Sequence, residues 1–127
     1  MDLAGLKKIL YVEDEDDIRA VGEMALQMGS WEIVCCSSGV EALNRVIEAN
    51  PDLIITDVMM PGLDGPGVLK GLKENTATSH IPVIFMTAKV QRHEVENFQK
   101  NGAIAVISKP FDPMTLAEDI KKIWLSV

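Results

Sequence analysis

The chain has 127 residues, 47% of them hydrophobic, which is the size and apolar content of one domain with one core. Twelve basic residues against nineteen acidic ones leave a formal charge of −7, whereas a domain that grips nucleic acid needs a basic footprint, and an anionic membrane surface is disfavoured in the same way. No apolar stretch approaches the roughly 20 residues that cross a bilayer, and the N-terminal "MDLAGLKK" has no apolar signal core, so the expected compartment is the cytoplasm.

Five short apolar runs alternate with amphipathic segments, which predicts a β-α unit repeated five times. The first strand, in "KKILYVED", stops at Glu13 and Asp14. The first helix is expected to be capped by Asp16 or Asp17, to face inward through Ile18, Val21, Ala25 and Met28, and to end at Gly29-Ser30. The second strand, "WEIVCC", ends without a charge, and its Cys35 and Cys36 read as reduced buried thiols. A second helix starts near Ser38, turns Leu43, Val46 and Ile47 inward, and stops at Asn50-Pro51. "PDLIITD" is the third strand and stops at Asp57. The third helix runs from about Gly65 or Pro66 to Asn75 on Val68, Leu69 and Leu72. "IPVIFMT" stops at Thr87, and a fourth helix from about Gln91 to Lys100 has only Val95 and Phe98 as an apolar stripe. "AIAVISKP" stops at Lys109 before Pro110. The last helix opens at Asp112-Pro113, a cap followed by proline at the first helical position, and buries Leu116, Ile120, Ile123 and Trp124.

Near-continuous apolar strands suit a parallel sheet covered on both faces, and right-handed crossovers make that a three-layer α/β/α sandwich. The carboxyl ends of the strands then share one edge, where open α/β sheets bind their ligands. Glu13, Asp14 and Asp57 converge there with the Thr87 hydroxyl and the Lys109 ammonium. Carboxylates this close repel unless a cation neutralises them, and a hard divalent ion such as Mg2+ takes oxygen ligands. Asp57 can attack a phosphoryl group to form an acyl phosphate, with Thr87 and Lys109 on the transferring oxygens. Each residue also has a plainer reading: helix caps for Glu13 and Asp14, a backbone-bonded strand-end hydroxyl for Thr87, a surface lysine for Lys109. The plainer readings leave the recurrence at one edge unexplained. His80 and His93 read as surface residues, Trp31 and Trp124 as packing aromatics, Met59-Met60 as loop geometry plus packing.

The acidic pair in "YVEDED", "DVMMPGLDG" around Asp57, "FMTAK" around Thr87 and "SKPF" around Lys109 together resemble the receiver domain of two-component response regulators over essentially the whole chain. The resemblance implies a flavodoxin-like five-stranded parallel sheet in the order 2-1-3-4-5. It implies that Asp57 accepts a phosphoryl group from a histidine kinase or histidine phosphotransfer protein. Mg2+ would be held by Glu13, Asp14, Asp57 and the Met59 carbonyl, with Glu13 acting through water. Thr87, Ala88 and Lys109 would receive the phosphoryl group, and the Lys109-Pro110 peptide bond would be cis.

The sequence departs from the family pattern at Glu13 and Val106. Glu13 stands where Asp is frequent. Val106 occupies the position of the family's switch aromatic, so no swinging ring can report on Thr87, and either the coupling is carried by the loop after the fourth strand and the fourth helix or it is weaker. Met59 and Lys89 occupy the positions that tune acyl-phosphate lifetime, while the small Ala88 leaves the pocket open.

The expected protein is a signalling switch, catalysing only its own phosphorylation and slow acyl-phosphate hydrolysis. It is expected to be a single freestanding receiver with no output domain, monomeric or dimerising on phosphorylation. The kinase-side partner is expected near Ile18 and Phe111, and an output partner on the face made by the fourth helix, fifth strand and fifth helix. An adaptor receiver that works without phosphorylation is the alternative. An aspartate-nucleophile phosphatase of the haloacid dehalogenase type would need an acid at position 59, and a flavodoxin would need a Ser/Thr/Gly-rich phosphate loop after the first strand.

Overall fold

The computed structural model describes residues 1–88 and 91–127. Its strands are β1 (Lys8–Val12), β2 (Glu32–Cys36), β3 (Leu53–Asp57), β4 (Val83–Thr87) and β5 (Ala105–Ser108). Its helices are α1 (Asp16–Gln27), α2 (Gly39–Ala49), α3 (Gly65–Glu74), α4 (Arg92–Lys100) and α5 (Leu116–Ser126). The strands pair in parallel in the order β2-β1-β3-β4-β5, the doubly wound arrangement expected from the sequence. Among the described residues no helix is long and apolar enough to cross a membrane.

Alternation along the strands divides the core in two. Ile9, Tyr11, Leu53, Ile55, Ile84 and Met86 face α1 and α5. Leu10, Val12, Ile54, Val83 and Phe85 face α2 and α3, with Phe98 of α4 packed partly on that side. Every residue of β3 and β4 is buried, while the edge strands β2 and β5 are partly open. The continuous apolar runs of β3 and β4 follow from this, since neither face of these strands meets water.

Several local expectations are corrected. α1 is not capped by Asp16 or Asp17: its N-cap is Glu15, which makes no side-chain capping bond. Its buried face is Gly22, Ala25 and Leu26, whereas Val21 and Met28 are 45% and 57% exposed. The reason is the Tyr11 ring, which fills the space beneath the helix. A Cβ on Gly22 would lie 2.2 Å from the Tyr11 hydroxyl, so only glycine lets α1 approach β1 this closely. α1 also stops at Gln27, short of Gly29-Ser30, which lie in the following turn.

On α2 the inward residues are Ala42 and Val46, with Leu43 half-buried and Ile47 60% exposed. Ser38 caps α2 by accepting from the Glu41 N–H, and Asn50 ends it in the left-handed conformation at φ 48°. α3 buries Val68, Leu69 and Leu72 and is capped by Asp64. α5 begins at Leu116 rather than Asp112. The Asp112 carboxylate accepts from the Met114 N–H, and its carbonyl accepts from Thr115 and Leu116, so Asp112-Pro113 makes a turn that precedes the helix. Ile123 is only half-buried, and both tryptophans are buried. Cys36 is buried and Cys35 half-buried, both as free thiols.

Candidate functional site

The pairing register delivers the acids to one place. Val12 lies opposite Thr56, so the next residues, Glu13 and Asp57, leave the sheet side by side. Asp57 lies opposite Met86, and Thr87 opposite Ser108, which sets Lys109 one step beyond the β4 end. The Lys109 N–H donates to the Thr87 carbonyl at 2.9 Å. The loop after β3 doubles back tightly, with the Gly65 N–H on the Val58 carbonyl at 2.9 Å. A Cβ on Gly65 would lie 2.6 Å from the Asp57 carbonyl oxygen, so this turn behind Asp57 also requires glycine.

The Lys109 ammonium donates to Glu13 Oε1 at 2.7 Å and to Asp57 Oδ2 at 3.0 Å. The side chains of Glu13, Asp57 and Lys109 are only 2%, 8% and 15% exposed. The other Glu13 oxygen, Oε2, accepts from the Glu15 N–H at 3.1 Å. Burial pushes the Glu13 carboxyl above its ordinary range, against the opposing pull of the Lys109 hydrogen bond. For Lys109 burial acts to lower the pKa, but the bonds to Glu13 and Asp57 outweigh it and raise the ammonium above its ordinary value.

Glu13, Asp14 and Asp57 each offer a carboxylate oxygen within 4.8 Å of the others. These are hard oxygen donors without a thiol or imidazole among them, which suits Mg2+ rather than Zn2+. Three carboxylates against the one Lys109 ammonium leave surplus negative charge for a cation to neutralise.

Thr87 is buried at the end of β4, and Ala88 beyond it is exposed. Met59 is 66% exposed in the loop after β3, while Met60 is buried. Val106 is half-buried on β5 and packs toward the α2 and α3 side of the core. The Lys109-Pro110 peptide is cis. Lys89 lies outside the described residues.

The family model described as "Response regulator receiver domain" matches residues 9–121. The chain belongs to this family. It is 34% identical over 115 residues to the polar-differentiation response regulator DivK of Brucella ovis, covering 91% of this chain and 94% of that one. It is 38% identical over 122 residues to the transcriptional regulatory protein ResD of Bacillus subtilis, covering 95% of this chain and 49% of ResD. The chain spans about half the length of the transcriptional regulators it matches. The chemotaxis protein CheY4 of Vibrio cholerae superposes with a TM-score of 0.85 at 28% identity, over 93% of this chain and 98% of that one.

A receiver domain is a signalling module of two-component systems rather than a conventional enzyme. Receiver domains bind Mg2+ in an acidic pocket, and the Glu13, Asp14 and Asp57 cluster fits that role. The structure brings those three acids and Lys109 together. Two features of this receiver were missed in the sequence reading. One is the direct contact of Lys109 with Glu13. The other is Arg19, whose Nη1 donates to the Glu13 carbonyl at 2.9 Å and whose Nη2 donates to Asp16 Oδ1 at 2.6 Å. Its signal was legible, since Arg19 is the first basic residue after an unbroken run of five acids from Glu13 to Asp17.

Proposed function

We propose that this receiver is a phosphorylation-dependent switch whose phosphoacceptor is Asp57. One observation carries the reading: a partly buried ammonium, Lys109, bridges Asp57 to Glu13 at the edge where the acids gather. The donor is a phosphohistidine on a histidine kinase or phosphotransfer protein. An Asp57 carboxylate oxygen attacks phosphorus, a new O–P bond forms, and the N–P bond breaks. The leaving imidazole keeps the electron pair and takes up a proton. Glu13, Asp14, Asp57 and the Met59 carbonyl are the groups to hold Mg2+, with Glu13 acting through water; the ion's contribution is to neutralise charge on the phosphoryl oxygens.

Lys109 donates to the same oxygens once it leaves its resting partners, and the Thr87 hydroxyl adds a hydrogen bond. Ala88 leaves room for the group. Met59 at the mouth of the site crowds an attacking water without activating it, and Lys89 is the second residue assigned to acyl-phosphate lifetime.

The phosphohistidine partner docks beside the site. Ile18, Val21, Lys109, Pro110, Phe111 and Pro113 line a shallow apolar groove there, and Val21 and Met24 expose 45% and 70% of their surface along α1. The output surface is α4, β5 and α5. In support, α4 buries no residue, so little packing opposes its displacement when the added charge pulls on Thr87 and Lys109. With Val106 in place of an aromatic, that pull passes through the loop after β4.

The test is intact mass after incubation with Mg2+ and a small phosphodonor. A single phosphoryl adduct is expected on the wild type, absent in Asp57→Asn and absent with chelator. An adduct that survives Asp57→Asn rules out Asp57 as the acceptor. No adduct on a folded, Mg2+-binding wild type, even with a phosphorylated histidine partner, favours the adaptor reading.

A further inference from the structure

Asp14 lies between Glu13 and Asp16, which are both tied down, and Arg19 supplies a tie to each. Glu13 is held by the Cys36 carbonyl on its N–H at 3.1 Å. Lys109 holds its Oε1 and the Glu15 N–H its Oε2, and Arg19 Nη1 holds its carbonyl oxygen. On the far side of Asp14, Asp16 is held by Arg19 Nη2. The two nitrogens of one guanidinium thus grip the loop between β1 and α1 on both sides of Asp14. No side-chain cap does this work, because Glu15 makes none, unlike Ser38 on α2 and Asp64 on α3. The loop needs such a grip, since five consecutive carboxylates repel one another and favour an open conformation. The bond to the Glu13 carbonyl is part-buried, while the one to Asp16 is exposed, with the Asp16 side chain 86% open to solvent; a planar guanidinium can serve two acceptors in one fixed geometry.

We propose that Arg19 is a positioning residue for the cation site, closing the β1–α1 loop so that Asp14 faces Asp57. The proposal rests on the reading of Glu13, Asp14 and Asp57 as Mg2+ ligands. It makes a prediction whose sign separates it from a simple field effect. Arg19 is a positive charge close to a cation site, so by Coulomb repulsion alone its removal would strengthen Mg2+ binding. A positioning role requires the reverse, because ligands released from their supporting contacts lose affinity on the order of tenfold or more.

The experiment is a calorimetric Mg2+ titration of the full chain as wild type, Arg19→Ala and Arg19→Lys, with thermal melts and amide exchange in chelator alongside. Arg19→Ala is expected to weaken Mg2+ binding on the order of tenfold and to speed exchange of the Glu15 and Asp16 amides without metal. Arg19→Lys keeps the charge but offers no fork, so its affinity should fall between the two. It also serves as the informative variant where Arg19→Ala fails to fold. Mg2+ affinity that is unchanged or raised in Arg19→Ala, or unchanged in Arg19→Lys when that is the only folded variant, overturns the positioning role. A lowered melting temperature with unaltered affinity overturns it as well, by making Arg19 merely structural. Wild-type protein that binds no Mg2+ overturns the reading of the acidic cluster itself, and with it the proposal.

Discussion

α3 and α4 cover the same face of the same sheet, yet they are held in opposite ways. α3 buries Gly65, Val68, Leu69 and Leu72 and is capped by the Asp64 carboxylate on the Gly67 N–H at 2.9 Å. α4 has no fully buried residue, only the half-buried Glu94, Val95 and Phe98, and its N-cap Gln91 makes no side-chain capping bond. Its aromatic anchor is Phe98, set edge-on against Phe85 of β4 with ring centroids 5.1 Å apart at 88°. One helix is fixed to the core and the other rests on it. The well-anchored helix follows the loop that carries Met59, close behind Asp57, where a constant geometry suits the proposed phosphoryl transfer. The lightly anchored helix follows Thr87, where movement suits the proposed signal. The packing implies that local stability is graded across one sheet face.

Three substitutions test this grading. Leu72→Ala removes a side chain that is 1% exposed, and the expected loss is about 2–5 kcal/mol of global stability in urea unfolding. A loss well under that range would mean that α3 is no better anchored than α4. Phe98→Ala removes half-buried aromatic area and the edge-to-face pair, with an expected global cost of about 2 kcal/mol. Its distinguishing mark is in amide exchange: residues 92–100 should lose protection while α3 keeps it. Uniform acceleration of both helices would abolish the contrast. Gln91→Asp supplies the missing cap and places a carboxylate at the helix N-terminus, which should stabilise α4 by about 0.5–1 kcal/mol. Slower exchange confined to α4 is the expected readout, and an unchanged α4 would show that its looseness does not come from its N-terminus.

The same contrast in packing explains what could be read from the amino acids. β3 and β4 were legible because burial on both faces demands unbroken apolar runs, and α3 because its large apolar residues are its inner face. For α1 the expectation holds at Ala25, which is buried, and fails at Val21 and the C-cap Met28, which are exposed; the inner face is Gly22, Ala25 and Leu26. A reading that follows bulky hydrophobic side chains turns such a helix the wrong way, because the bulk that fills this interface belongs to Tyr11 on the strand. α5 was placed too early because Asp112-Pro113 has the composition of a helix start but forms a separate turn.

At the site, the convergence of Glu13, Asp14, Asp57 and Lys109 follows from strand ends and was visible beforehand. The Lys109 to Glu13 contact was not, since no local pattern links residues 96 positions apart. The Arg19 grip was legible only in part: the acidic run before it marks a basic partner, but the main-chain carbonyl it holds carries no sequence signal.

The bridge made by Lys109 has a consequence for how the chain matures. A cluster of buried acids is ordinarily an obstacle to folding, and small metal-binding domains often cannot fold until their ion arrives. Here the chain carries a counter-ion of its own on β5's outgoing loop, so the last strand of the sheet offsets part of the negative charge at the end of the first. Under the proposed Mg2+ binding the ion has only the remaining charge to neutralise, because Lys109 already ties Glu13 to Asp57.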